Sequence, residues 1–492
     1  MENPKLKKMA EEWLEEATIT QIQEKFAQGE LTSKELVLMY LDRIAKYDKH
    51  LHSILEVNPD ALQIAEALDS ERNEKGPRSP LHGIPILLKD NIDTHDKMHT
   101  SAGSLALKDS IALHDSFVTE QLRRAGAVIL GKTNMTEWAN FMAIGMKSGY
   151  SSRGGQVLNP YGPSKFDVGG SSSGSGAAVA ANFATVAVGT ETSGSILNPA
   201  CQNSLVGIKP TVGLISRRGI IPIAHSQDTA GPMARTVEDA AILLTALSGS
   251  DKKDPITTTN PFAQKDFSKH LLTHGLSGKR IGIALEGFIE LLSEEKQKVI
   301  LAAVDKLKTT GAIVIDNIEI PSAKAAWKYD VLTYEFKPDL NAYLNSLHPL
   351  IPIRNITDLI DFNKNNEEKM LEYGQAVLIE SEETSGSLTE AAYFNALEFD
   401  LYHSKNQGID FALETSNLDV IVFPSEEGSH ISAKAGYPSI AVPAGYTAEG
   451  EPVGITFAGT AYSEPLLIEV AYAFEQMTKF RKAPILKKNK TI

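Results

Sequence analysis

The sequence predicts an α/β fold, built either as one large domain or as two closely joined lobes. Two observations carry this expectation. Short apolar, β-branched runs alternate with amphipathic stretches of helical period along most of the chain. With 492 residues, 42% of them hydrophobic and 22% charged, the chain can also bury a large core. Residues 1–492 are read as a single domain, with residues 325–410 as a mostly helical, cap-like insertion within it.

In chain order, Thr32 and Glu35 form a capping box ahead of Leu36, Tyr40 and Ile44, which recur at helical spacing and predict a core-facing helix. Residues 83–88 form an apolar run with Gly83 before it and Pro85 inside it, which reads as a strand near a sheet edge or cleft. That strand delivers Lys89 at its end. A lysine directly after Ile86, Leu87 and Leu88 is expected to be partly buried, and burial favours the neutral amine. Residues 117–124 read as a helix stopped by Gly126, 127–130 as a strand, and Asn134 with Glu137 as the start of another helix. Residues 205–211 give a strand and turn, and Thr236 with Asp239 caps a helix over 240–247. The alternation continues with a strand over 278–284, an amphipathic helix over 294–309 closed by Gly311, and a strand over 312–315. Residues 325–410 are helical and polar by pattern, with Trp327, Tyr334, Phe336, Tyr343 and Tyr373 interspersed, and are read as a cap facing substrate. Strands return at 418–424 and 439–443, a helix over 465–474 closes the sheet, and the tail with Lys487, Lys488 and Lys490 is expected to be solvated.

The net charge of -14 argues against nucleic acid or an anionic membrane surface as partner, since both need a positive footprint. The single cysteine, Cys201, excludes an intrachain disulfide and a cysteine-built metal site, and is expected to be a small buried hydrophobe. The 12 histidines show no spacing that pairs them with the serine turns, and no His-Glu-x-x-His pattern occurs. His82 and His225 are read as structural, and neither metal nor cofactor is expected. The N-terminus runs from lysines into Glu11, Glu12, Trp13, Leu14, Glu15 and Glu16 without an apolar core, so a cytoplasmic protein is expected. No apolar run approaches the roughly 20 residues of a membrane span.

One stretch departs from these patterns. Residues 169–200 place a glycine and serine loop, Gly169-Gly170-Ser171-Ser172-Ser173-Gly174-Ser175-Gly176, before the helix formers 177–181. A β-branched strand over 185–188 and a second glycine and serine turn over 190–195 follow. A linker would not alternate with apolar helix and strand on both sides. A phosphate-binding Walker loop would end in Gly-Lys-Ser or Gly-Lys-Thr, and this loop has no lysine. A nucleophile elbow fails at Ser195, because Ile196 and Leu197 follow where glycine should stand.

The glycine-serine loop, Ser195 within Gly194-Ser195-Ile196, and Lys89 within Leu88-Lys89-Asp90-Asn91 together resemble the amidase signature family. Within it the peptide amidases are most similar, through Gly131-Lys132-Thr133-Asn134, Glu137-Trp138-Ala139-Asn140-Phe141 and the run from Ser226 to Arg235. Gly436, Pro438, Pro443, Gly445, Pro452 and Gly454 follow the family's C-terminal pattern. The resemblance implies a large mixed β-sheet surrounded by helices and a Ser-Ser-Lys relay. In that relay neutral Lys89 takes the proton of Ser171, Ser171 that of Ser195, and Ser195 attacks the amide carbonyl to form an acyl-enzyme that water hydrolyses. It also implies a cis peptide bond at Ser171 and an oxyanion hole from the backbone N–H groups of Thr192, Ser193, Gly194 and Ser195. Ser172 and Asp228 are the candidates to support the serines from behind.

Two departures from the family turn bear on specificity and geometry. Ser193 replaces a glycine, which tests whether that position needs a left-handed backbone, and Leu197 replaces an arginine. Glu191 stands where the family carries aspartate. The expected substrate is a small or peptide amide cleaved at its C-terminal end with release of ammonia, with internal peptide bonds spared by a cleft closed on the leaving-group side. The competing reading is the glutaminase component of a tRNA-dependent amidotransferase, which the missing arginine counts against.

Overall fold

The computed structural model describes residues 2–262 and 265–486, so the lysine run at 487–490 lies outside the described residues. Its strands are β1 (Ile54–Val57), β2 (Pro85–Lys89), β3 (Val128–Thr133), β4 (Tyr150–Ser151), β5 (Gly155–Gln156), β6 (Val186–Glu191) and β7 (Val206–Lys209). They continue with β8 (Thr229–Ala234), β9 (Arg280–Ile283), β10 (Ile313–Ile315), β11 (Val420–Pro424), β12 (Ser439–Tyr446) and β13 (Pro452–Ala458). Eleven of them form one mixed sheet in the order β1-β3-β2-β6-β8-β7-β12-β13-β11-β9-β10, while β4 and β5 pair as a separate hairpin.

The capping box at Thr32 and Glu35 opens the helix Ser33–Tyr47, whose Leu36, Tyr40 and Ile44 are buried as their spacing requires. Beside it, β2 runs parallel to both β3 and β6, and all five of its residues are buried. Pro85 is compatible with a strand near a sheet edge or a cleft, and the Lys89 end does lie beside the site, but the strand is not at the edge. It lies inside the sheet, with proline at its first residue, where a missing N–H interrupts the ladder least. Interior parallel strands have both faces covered, and this explains the unbroken apolar run that leads to Lys89.

Other elements differ from their local patterns. Asn134 and Glu137 open no helix: residues Glu137–Asn140 make a single irregular turn in which Trp138 and Ala139 have positive φ. The Glu137 carboxylate is instead buried against the N–H and hydroxyl of Ser152, at 2.6 and 3.0 Å. No sequence pattern marks the interior strand β8, because Gly231 and Pro232 interrupt it. Its close packing explains the glycine, since a Cβ on Gly231 would lie 2.0 Å from the carbonyl oxygen of Ile208. Between 325 and 410 lie the helices Asp330–Asn345, Ile356–Asn365, Ala376–Glu382 and Ala391–Leu401. Phe336, Leu340, Leu344, Leu359 and Leu378 from these helices pack with Trp138 and Phe141 into a second core beside the main one.

Candidate active site

β2 ends at Lys89 and β6 runs parallel to it through Val186–Glu191, so the two strands bring Lys89 beside Thr190 although 101 residues separate them. Lys89 is fully buried and donates from Nζ to Ser171 Oγ at 2.8 Å, Thr190 Oγ1 at 2.9 Å and the Thr190 carbonyl at 3.2 Å. Asn91 Nδ2 donates to the same Thr190 hydroxyl at 2.9 Å. Removal from water brings the Lys89 ammonium down from 10.5 to about 7, against the opposing attraction of the Glu191 and Asp228 carboxylates.

Ser171 is held by the loop ahead of the helix Ser173–Ala180, which starts earlier than its alanine-rich half suggests. The Gly170–Ser171 peptide bond is cis. Ser172 supports the arrangement without touching Lys89: its N–H donates to the Ser195 carbonyl at 3.1 Å, and its hydroxyl exchanges bonds with the Thr190 backbone at 3.1 and 3.2 Å. Ser195 is 8% exposed. Among the described residues its hydroxyl has no hydrogen-bond partner, so the lysine–Ser171 contact is formed while the Ser171–Ser195 link is not.

The turn after β6 is shaped by Glu191, whose buried carboxylate accepts from the N–H groups of Gly194 at 2.8 Å, Ile196 at 2.8 Å and Leu197 at 3.0 Å. This corrects one expected oxyanion donor, because the Gly194 N–H is committed to the Glu191 side chain. The N–H groups of Thr192, Ser193 and Ser195 meet no acceptor among the described residues. Ser193 is tolerated because the left-handed position is the next one, Gly194, at φ 80°. Asp228 accepts from the Thr192 hydroxyl at 2.5 Å and from the N–H groups of Ile223 and Ala224 at 2.8 and 3.0 Å, and burial lifts its carboxyl to about 7. Sequence reasoning points to Asp228 but not to the reach of Glu191 or the role of Thr190, whose signal is only the β-branched run ending beside Lys89.

Around this turn lie joined cavities. One of about 550 Å³ is lined by Ser195, Ser193, Thr192 and Gly170 and walled by Phe141, Ile144, Leu332 and Val377, with Asp330 and Glu380 also on its lining. A second, of about 490 Å³, shares Gly170 and Ser193 with it and continues past Gly194 to Glu426, Glu427 and His430. The space beside Ser195 therefore continues past Ser193 and Gly194. Tyr329, the residue before the helix Asp330–Asn345, and Leu332 and Thr333 within it line the cavity that holds Ser195.

The remaining candidates fall outside the chemistry. Cys201 is buried with its thiol pushed well above the ordinary range, against the backbone of Gly454. His82 is buried, bonded to the Leu68 carbonyl at 2.9 Å and to the Arg78 N–H at 3.2 Å. His225 is raised by its 2.9 Å contact with Asp339. With Glu335 they lie close enough to hold a cation, but Glu335 is already bonded to the Tyr393 hydroxyl and the Ser226 N–H. Among the described residues no helix is long and apolar enough to cross a membrane.

A large mixed sheet that converges a buried lysine on a serine-rich loop, beside a turn of free backbone donors, is the framework of an amide-hydrolysing enzyme. The amidase family model matches residues 35–434. A probable amidase of Arabidopsis thaliana is 44% identical over 96% of this chain and 92% of its own. The solved peptide amidase of Stenotrophomonas maltophilia is 45% identical, with a TM-score of 0.91 over 96% of this chain and 99% of that one. A glutamyl-tRNA(Gln) amidotransferase component of Acaryochloris marina is 32% identical over 95% of this chain and 99% of its own. The chain belongs to the amidase family, with the amidase signature fold, and is an amidase of linear amides.

Proposed function

We propose that the enzyme removes ammonia from the C-terminal amides of short peptides through a Ser195 acyl-enzyme, with Ser171 and Lys89 relaying the proton. The observation that carries the relay is the 2.8 Å contact from Lys89 Nζ to Ser171 Oγ, made by a lysine whose burial brings it to about 7. A neutral amine at that position accepts a proton from Ser171, which in turn accepts one from Ser195 as a small side-chain rotation closes the remaining link. The N–H groups of Thr192, Ser193 and Ser195 stand ready to stabilise the oxyanion. On collapse of the tetrahedral intermediate the proton returns along the same path to the leaving nitrogen, and water repeats the cycle on the ester.

The likeness to peptide amidase and the apolar walls of Phe141, Ile144, Leu332 and Val377 support a peptide-like acyl group. Leu197 in place of an arginine leaves no fixed cation in the turn to select a free carboxylate. Internal bonds are spared by charge rather than by a wall. The arm beyond Gly194 carries Glu426 and Glu427, while of its two lysines Lys434 is tied to Asp400 at 2.5 Å and Lys328 lies 3.9 Å from Asp330. A leaving peptide that ends in a carboxylate meets repulsion there, whereas departing ammonia does not.

The test is ammonia and amine release from an amidated dipeptide, the same sequence extended as a free-acid peptide, and a fatty amide. Rapid ammonia release from the amidated dipeptide alone is expected. Turnover of the fatty amide with the dipeptide amide untouched would overturn the substrate assignment. Activity that appears only with a copurifying partner chain would favour the amidotransferase reading instead.

A further inference from the structure

We propose that Lys434 is a positioning residue for the substrate's acyl group: it fastens residues 327–330 as a strap along the junction of the two cavities beside Ser195. The inference rests on the acyl-enzyme reading above, which places the substrate in those cavities. Trp327 lines the cavity that continues past Gly194, while Lys328, Tyr329 and Leu332 line both. The Lys328 side chain and Tyr329 are 71% and 67% exposed, so packing does not hold this stretch. Among the described residues the Lys328 backbone has one hydrogen bond, its carbonyl accepting from Lys434 Nζ at 2.9 Å.

Lys434 comes from the last turn of the helix Ser429–Ala435. The first residue of that helix borders the oxyanion turn, with the Ser429 hydroxyl 3.3 Å from where a Cβ on Gly194 would stand. One short helix therefore meets the turn at one end and the strap at the other. The Lys434 side chain is 4% exposed, and its ammonium also donates to Asp400 Oδ2 at 2.5 Å and stands 5.7 Å from the centre of the Trp327 ring. A cation is stable in such a place only where its charge and its donors are met, and the carboxylate, the carbonyl and the ring face meet them together. Two of these partners are fixed elsewhere. Asp400 belongs to the helix Ala391–Leu401, and the indole N–H of Trp327 is held by the Ser322 carbonyl at 3.1 Å. The third, the Lys328 carbonyl, is the part that the clamp restrains. A neutral side chain of similar length would pack against Trp327 but donate to neither oxygen. Holding the strap before substrate arrives removes an ordering cost from binding and touches no reacting atom, so its loss falls on KM rather than kcat.

The experiment measures kcat and KM for an amidated dipeptide, together with amide hydrogen exchange over 327–330 and the melting temperature of each variant. Lys434→Met should raise KM about tenfold, as expected if the strap is in place in about a tenth of the molecules, with kcat within about twofold of the parent. Exchange over 327–330 should quicken in the same variant. Lys434→Arg, which can still donate to both oxygens, should recover most of the KM. Lys434→Met leaves Asp400 buried without its partner, so Lys434→Met combined with Asp400→Leu separates stability from positioning, and it carries the test alone should the single variant fail to fold. In that double variant the melting temperature should return toward the parent while KM and exchange stay raised. A parental KM in Lys434→Met, unchanged exchange over 327–330, or a KM that recovers with the melting temperature in the double variant would overturn the proposal. An active Ser195→Ala variant would instead remove the acyl-enzyme reading, and the exchange result would stand apart from it.

Discussion

Burial of Lys89 sets a pH dependence that can be worked out from the structure. The fall from 10.5 to about 7 corresponds to about 5 kcal/mol against the ammonium form. The relay needs the neutral amine, so at pH 7 about half the molecules are competent, and kcat/KM should fall about tenfold for each pH unit below that. An ordinary lysine would leave only about 0.03% of the molecules neutral at pH 7. Stability should follow the opposite end of the same displacement. The folded chain binds fewer protons than the unfolded chain between about 7 and 10.5, so stability should rise with pH across that window and level off on either side. Lys89→Met should abolish turnover and also make this slope shallower by the share of Lys89, leaving that of Lys209, which burial lowers to about 8. Ammonia release from pH 5 to 9 at constant ionic strength checks the first expectation, and urea unfolding of both proteins at pH 7 and 10 checks the second. A rate flat across pH 5 to 9, or one still rising tenfold per unit above pH 9, would refute the reasoning.

Two further outcomes follow from single contacts. Ser195→Ala removes a hydroxyl that has no hydrogen-bond partner among the described residues, so turnover should disappear while the melting temperature stays within about 2 °C of the parent. Gly174→Ala should unfold the loop or prevent its formation: the added Cβ would meet the Asn134 carbonyl oxygen at 2.3 Å and the Ser53 carbonyl oxygen at 2.5 Å, both rigid backbone. A destabilisation below about 1 kcal/mol in denaturant unfolding would show that the helix Ser173–Ala180 can shift to admit it.

The features legible in the chain alone are local or compositional. The capping box at Thr32 and Glu35, the stop at Gly126 and the helix expected over 294–309, found over Glu294–Leu307, depend on neighbours within a turn or two. The loop of glycines and serines and the lysine after Ile86, Leu87 and Leu88 mark the candidate site, because linkers and surface lysines have different surroundings. Folding settled the rest, for a physical reason common to all of it: the deciding contacts cross long stretches of chain. The placement of β2 inside the sheet depends on β3 and β6. β8 forms despite Gly231 and Pro232 because two neighbouring strands complete its ladder. Glu137 starts no helix because Ser152, 15 residues on, takes its carboxylate. The chemistry follows the same rule, since the lowered Lys89, the commitment of the Gly194 N–H to Glu191 and the opening past Gly194 all come from burial and from groups that only the folded chain brings together.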